Sequence, residues 1–163
     1  MKTGSRRANH DWAANTSLSS SAPANNIPNA LVGRLLAELS QEDARKAFEA
    51  SEIARLLVEK APDNLASLRG FFSREPQATT AALLQAIAAD GPGVSEEDLR
   101  NLEIPSLIIG HDIDYIHPLT YAAAISQLIP RSQLVSVTPK ALSKAAYLID
   151  FHTAISNFLE TFL

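Results

Sequence analysis

A Gly91-Pro92-Gly93 break, with a different hydrophobic texture on either side, constrains the fold of this chain more than any other feature. Proline lacks a backbone N–H and glycine favours neither helix nor strand, so no regular element runs through such a triplet. Upstream of it, apolar residues recur at helical spacing. Leu31, Leu35, Leu36 and Leu39 make one stripe and Ile53, Leu56 and Leu57 a second; Leu65, Leu68, Phe71 and Phe72 make a third, and Ala81, Leu84, Ile87 and Ala88 a fourth. Ser40 followed by Asp43 reads as a helix cap, Pro62 suits a first helical turn, and Arg74-Glu75-Pro76 interrupts the pattern. The spacing predicts short helices joined by tight breaks over residues 30–93, with no internal repeat.

Downstream the texture changes. Ser95 and Asp98 suggest a short capped helix ending near Leu102, and Ile104-Pro105-Ser106-Leu107-Ile108-Ile109-Gly110 reads as a buried strand. Pro118 opens a helix carrying Tyr121, Ala124, Ile125 and Leu128, which Pro130-Arg131-Ser132 breaks. Gln133-Leu134-Val135-Ser136-Val137 alternates as a second strand. The last helix spans Ser143 to Phe162, with Leu148, Phe151, Ile155, Phe158 or Leu159, and Phe162 on one face. Strand, helix, strand, helix over residues 94–163 predicts the α/β class: a βαβα unit with two parallel strands and a right-handed crossover.

The first twenty-nine residues belong to neither texture. They hold a Ser/Ala/Asn/Pro-rich run, Ser17 to Asn26, that buries too little apolar surface to offset its ordering entropy. A disordered tail is expected over residues 1–29. Lys2, Arg6 and Arg7 raise the question of a targeting peptide, but no apolar h-region follows them, and Asp11 speaks against a transit peptide. Across all 163 residues, 14 Lys and Arg stand against 18 Asp and Glu, a net charge of −4 with scattered signs. That balance lacks the basic face of a nucleic-acid protein. No apolar run approaches the roughly eighteen residues of a membrane span. There is no cysteine, which excludes disulfides, thiolate metal sites and cysteine nucleophiles. A cytoplasmic, mildly acidic protein without cofactor is the expectation.

Ligands of parallel α/β sheets bind beyond the carboxyl ends of the strands. The segment leaving the first strand is Gly110-His111-Asp112-Ile113-Asp114-Tyr115-Ile116-His117-Pro118, which holds two of the four histidines and two acids. Three readings stay open for it. Its acids cap the following helix; or His111, Asp112, Asp114 and His117 bind a metal; or an acid orients a catalytic histidine.

Taken together, Ile104 to Gly110, Asp114-Tyr115-Ile116-His117-Pro118, Ala122-Ala123-Ala124, Leu128-Ile129-Pro130, Leu134-Val135 and Ile155-Ser156-Asn157-Phe158-Leu159 resemble the α/β-hydrolase family. The succession is similar to that family's last two strands and helices, over residues 94–163. The resemblance implies a truncated α/β-hydrolase-like unit. Asp114 takes the place of the Ser–Asp–His triad acid, with Asp112 as the less favoured candidate, and residues 30–93 take the place of the lid.

The rest of a hydrolase site is missing from this sequence. Six glycines, at positions 4, 33, 70, 91, 93 and 110, allow no Gly-x-Ser-x-Gly elbow, and no oxyanion-hole His-Gly or Gly-Gly pair occurs. The loop where the family's histidine stands reads Thr138-Pro139-Lys140-Ala141-Leu142-Ser143-Lys144. His152 falls inside the last helix, where a helix-face histidine covering the sheet edge is the plain reading, and Tyr147 is a polar side chain near Asp114 without an assigned role. Two functions follow. The chain is the C-terminal portion of an ester-cleaving or related hydrolase, inactive alone. Alternatively it is a non-catalytic remnant or interaction subunit. Its partner would be a complementary hydrolase chain, or a second copy joined through open sheet edges.

Overall fold

Residues 26–89 and 93–163 are described by the structure, a computed structural model. Most of the expected tail, residues 1–25, lies outside them, as do Asp90, Gly91 and Pro92 of the break. The expected tail boundary moves: the first helix, α1, spans Ile27–Glu38, with Pro28 in its first turn and both Pro28 and Asn29 buried. Pro28 has its φ preset for a helical start, so the helix begins inside the stretch expected to be tail.

Four further helices follow: α2 (Gln41–Glu49), α3 (Glu52–Lys60), α4 (Pro62–Phe71) and α5 (Gln77–Ala89). Their starts are written locally. Ser40 Oγ accepts the Asp43 N–H at 3.2 Å and Ser51 Oγ accepts the Ala54 N–H at 3.1 Å, satisfying amides that no turn of helix precedes. The core of the protein lies among these five helices. Phe48, Leu36, Leu57, Leu68, Leu84 and Val32 are fully enclosed, each contributing roughly 1.5–3 kcal/mol by burial. Phe48 and Phe72 meet as tilted rings with centroids 5.4 Å apart.

Helices α1 and α5 cross closely because the crossing point has no side chain. A Cβ on Gly33 would stand 3.0 Å from Gln85 N and Leu84 Cβ, and 3.1 Å from Ala81 O. Two glutamines of α5 bind the carbonyls of α1 along this contact. Gln77 Nε2 donates to Leu36 O at 2.7 Å and Leu39 O at 2.6 Å, and Gln85 Nε2 donates to Gly33 O at 3.3 Å. Gln77 thus serves the C-terminal carbonyls of α1, which end with no intrahelical partner.

Beyond the break, α6 (Glu96–Arg100) opens on a full capping box: Ser95 Oγ accepts the Asp98 N–H and Asp98 Oδ2 accepts the Ser95 N–H. Then come β1 (Ser106–Gly110), α7 (Leu119–Leu128), β2 (Ser132–Ser136) and α8 (Lys144–Glu160). The two strands pair in parallel, with Ser106 opposite Ser132 and Gly110 opposite Ser136. The protein is therefore mostly helical with one small parallel sheet, in the mixed α/β class. One expectation fails on burial. β1 was read as a buried strand, yet all five of its residues are only half-buried. A two-stranded sheet with helices α7 and α8 has too few layers to enclose a strand on both faces. Among the described residues of this half, the buried apolar ones are Ile116, Ile129, Val137, Pro139 and Ala154.

Candidate functional site

Gly110 ends β1 where α7 begins to cross over it: a Cβ there would stand 3.0 Å from Leu119 Cδ1 and 3.2 Å from Ala122 Cβ. The chain leaves the strand as residues 111–118. Because β1 and β2 are parallel, residues 137–143 leave the same edge of the sheet. Val137 N donates to Gly110 O at 3.0 Å, which fixes the two exits side by side.

Asp114 is the pivot of this edge. Its Oδ1 accepts three N–H groups: Asn64 Nδ2 at 3.1 Å, Ile116 N at 2.9 Å and His117 N at 2.8 Å. Two of these close a local turn around the carboxylate, the usual local bonding of an Asp in a loop. The third comes from α4, fifty residues away in the sequence. Asn64 also accepts the Tyr115 N–H on its Oδ1 at 2.7 Å, so one amide holds two consecutive residues of the loop. Tyr115 packs against the helical core and Ile116 is buried beside it. The site loop is thereby clasped to the helical half.

Asp114 Oδ2 faces the His117 imidazole, with Nδ1 3.6 Å away. Burial opposes ionisation of this carboxyl. The His117 side chain and amide, the Asn64 amide and the attraction of the ring together outweigh it, and the carboxyl lies well below the usual carboxylate range. The same pairing raises the His117 imidazole above its ordinary value against the effect of desolvation. The His117 side chain is 82% exposed while that of Asp114 is 18% exposed, so the ring stands in solvent over a sheltered acid.

A second cluster lies at the same strand exits. The His111 ring meets Tyr147 of α8 edge-on at 6.4 Å, Tyr147 stacks on Phe151 at 5.7 Å, and Lys140 Nζ sits 4.5 Å over the Tyr147 ring. His111 Nδ1 is buried with no hydrogen-bond partner among the described residues, as is Asp63 Oδ2 at the start of α4. Asp150 of α8 ties down the exit of β2, its Oδ2 accepting Thr138 N at 2.9 Å and Thr138 Oγ1 at 2.6 Å.

Of the residues singled out in the sequence, Asp114 and His117 come together and His111 meets Tyr147. Asp112 is exposed, and His152 lies exposed on α8, tilted against Phe151. Among the described residues, no group of three or more His, Asp or Glu side chains converges as a metal-ligand set, and no helix is long and apolar enough to cross a membrane. Asn64 and Asp150 had no signal in the sequence, because each acts across a distance that local spacing does not encode. The arrangement can orient an imidazole: one oxygen of the carboxylate is immobilised by three donors and the other is turned to a ring nitrogen. Comparison with family models, with curated proteins and with solved structures finds no match to this chain.

Proposed function

We propose that this chain is one part of an α/β-hydrolase-type protein. In this reading it brings the orienting acid, Asp114, and a helical cover to a site that another polypeptide segment completes with the nucleophile, the triad histidine, the oxyanion donors and further parallel strands. The observation that carries the reading is the state of the Asp114 carboxylate. It stands at the carboxyl end of a parallel strand, with Oδ1 saturated by three N–H groups and Oδ2 left beside an imidazole. An acid that orients a histidine needs both features: a fixed carboxylate plane, and a free oxygen for the ring N–H. The half-buried β1 supports the need for more sheet. By itself the chain has no turnover, since Asp114 is too weak a base for a serine hydroxyl and no serine stands in a glycine-flanked elbow.

The experiment is to read the coding sequence flanking that of this chain for Gly-x-Ser-x-Gly within a strand-rich segment, and to co-express that product with the chain. The expected result is a co-purifying complex that cleaves an aryl ester and loses at least roughly tenfold of that activity in Asp114→Asn. A complex without esterase activity, or one indifferent to Asp114→Asn, overturns the proposal. So does the absence of any such segment.

A second reading, a non-catalytic interaction subunit, is favoured by the Asn64 clasp. There Asp114 serves only to fasten the helical half to the sheet. The two readings separate on the same complex: the clasp alone predicts that Asp114→Asn changes stability and leaves any esterase activity untouched.

A further inference from the structure

A single amide group links Asp114 and its neighbour to the helical half. Asn64 Nδ2 donates to Asp114 Oδ1 at 3.1 Å, and Asn64 Oδ1 accepts the Tyr115 N–H at 2.7 Å. The amide fits only this way round, because the flipped form would set its oxygen against the carboxylate and its NH2 against the N–H. An aspartate there would have no donor for Asp114, and a lysine no acceptor for Tyr115. Asn64 stands in the first turn of α4, directly before Leu65, which is 3% exposed, and Leu68 further along is 1% exposed. The donor is therefore held by the core. The other two donors to Oδ1, the N–H groups of Ile116 and His117, belong to the loop and travel with Asp114. Of the three, Asn64 alone refers the carboxylate to a frame outside its own loop.

We infer that Asn64 is a positioning residue: through its bond to Oδ1 it sets the plane of the Asp114 carboxylate against the helical core, so that Oδ2 receives the Nδ1–H of an imidazole. With Oδ1 occupied, Oδ2 is the oxygen turned to the His117 ring, 3.6 Å from Nδ1. An imidazole whose Nδ1–H is directed to a carboxylate keeps Nε2 unprotonated and ready to take a proton. The reverse tautomer presents a proton where a base is needed. The inference rests on the reading of Asp114 as an orienting acid, and it assigns the readiness of that acid to the helical half. Without Asn64 the carboxylate keeps its two local bonds and loses its fixed bearing on the ring.

Nitrogen-15 NMR of the full chain tests it, with His117 as the reporting imidazole. Above its titration, neutral His117 is expected mainly as the Nδ1–H tautomer. His152, exposed on α8, serves as the reference ring and stays the same in every variant. Asn64→Ala removes both bonds, whereas Asn64→Asp keeps an acceptor for Tyr115 N and loses the donor to Asp114. Both variants are expected to turn His117 to Nε2–H as the major form. Asn64→Asp retains the helical circular dichroism signal, and it decides alone where the alanine variant does not fold. Wild-type His117 in the Nε2–H form overturns the inference, as does Nδ1–H retained in either folded variant. Retention in Asn64→Asp with loss in Asn64→Ala would leave Asn64 as a fastener of Tyr115 only. The measurement uses neither partner nor ester. A hydrolase complex that fails to form leaves its result standing, and an overturned inference leaves that complex untouched.

Discussion

Replacing Asp114 with alanine removes three hydrogen bonds at once, from Asn64 Nδ2, Ile116 N and His117 N. Bonds to a charged acceptor contribute about 1.5–3 kcal/mol each, and three on a single oxygen are not additive. The loss expected for Asp114→Ala is about 3 kcal/mol, or a fall of about 10 °C in melting temperature for a domain of this size. Asp114→Asn keeps an oxygen in the same place for the same donors and gives up the charge, so its expected cost is about 1 kcal/mol. Asn64→Ala cuts the clasp from the other side, breaking its bonds to both Asp114 and Tyr115 N. Combined with Asp114→Ala it should add less than its single effect, with a coupling of about 1 kcal/mol. Urea unfolding followed by circular dichroism reads all four proteins. An Asp114→Ala variant within about 1 kcal/mol of wild type, or an Asn variant as damaged as the Ala variant, would refute the clasp as the joint between the two halves.

The pH dependence of the same joint has two opposite signs. Asp114 is depressed in the folded state, so its stabilisation is complete above the ordinary carboxylate value of about 4 and fades only as pH falls below it. His117 is raised in the folded state, so its contribution is present below about pH 6.5 and disappears as pH rises through the folded value. His117→Gln should therefore flatten the decline in stability between mildly acidic and mildly basic pH, measured by urea midpoints; an unchanged slope would contradict the pairing. Gly33→Ala should destabilise the helical half by about 1–3 kcal/mol, because the new methyl meets the backbone of α5. A thermal melt that rises instead would show that the crossing is looser than the structure has it. Ser143→Ala should cost about 1 kcal/mol through loss of the cap on Ala146 N, seen as fraying of α8 by amide exchange.

Where a signal was local, the sequence carried it. Ser40, Ser95, Pro62 and Ser143 each mark a helix start through bonds or dihedrals within one turn, while β1 was legible from an apolar run between Pro and Gly and β2 from its alternation. The expected tail overruns the start of α1 at Ile27, because Ile27-Pro28-Asn29 carries no helical periodicity of its own. The extent of burial was harder to see. An apolar run such as Leu107-Ile108-Ile109 reads as enclosed, but enclosure depends on how many layers surround the sheet, and two strands with two helices are too few. On α8, the expected single face, Leu148 through Phe162, resolves into two: Phe151 and Phe158 turn to the sheet while Leu148 and Leu159 turn away. Periodicity identifies the apolar arc and leaves open which half of it a small sheet can cover. The loop of residues 111–118 stood out from its place after a strand, and Asp114 within it only through the resemblance to the hydrolase family. Asn64 was not, because a clasp between residues fifty positions apart leaves no mark in either segment.

In the proposed hydrolase reading Asp114 orients a base, and the nucleophile and oxyanion donors come from another segment. Hydrolysis of an aryl ester by the purified chain, measured beside Asp114→Asn, tests it most directly. Both proteins should match the buffer rate, because a held carboxylate without an elbow serine or oxyanion donors has no transition state to stabilise. Turnover that persists through purification and falls roughly tenfold or more in Asp114→Asn would contradict it, since the chain would then hold a complete site of its own.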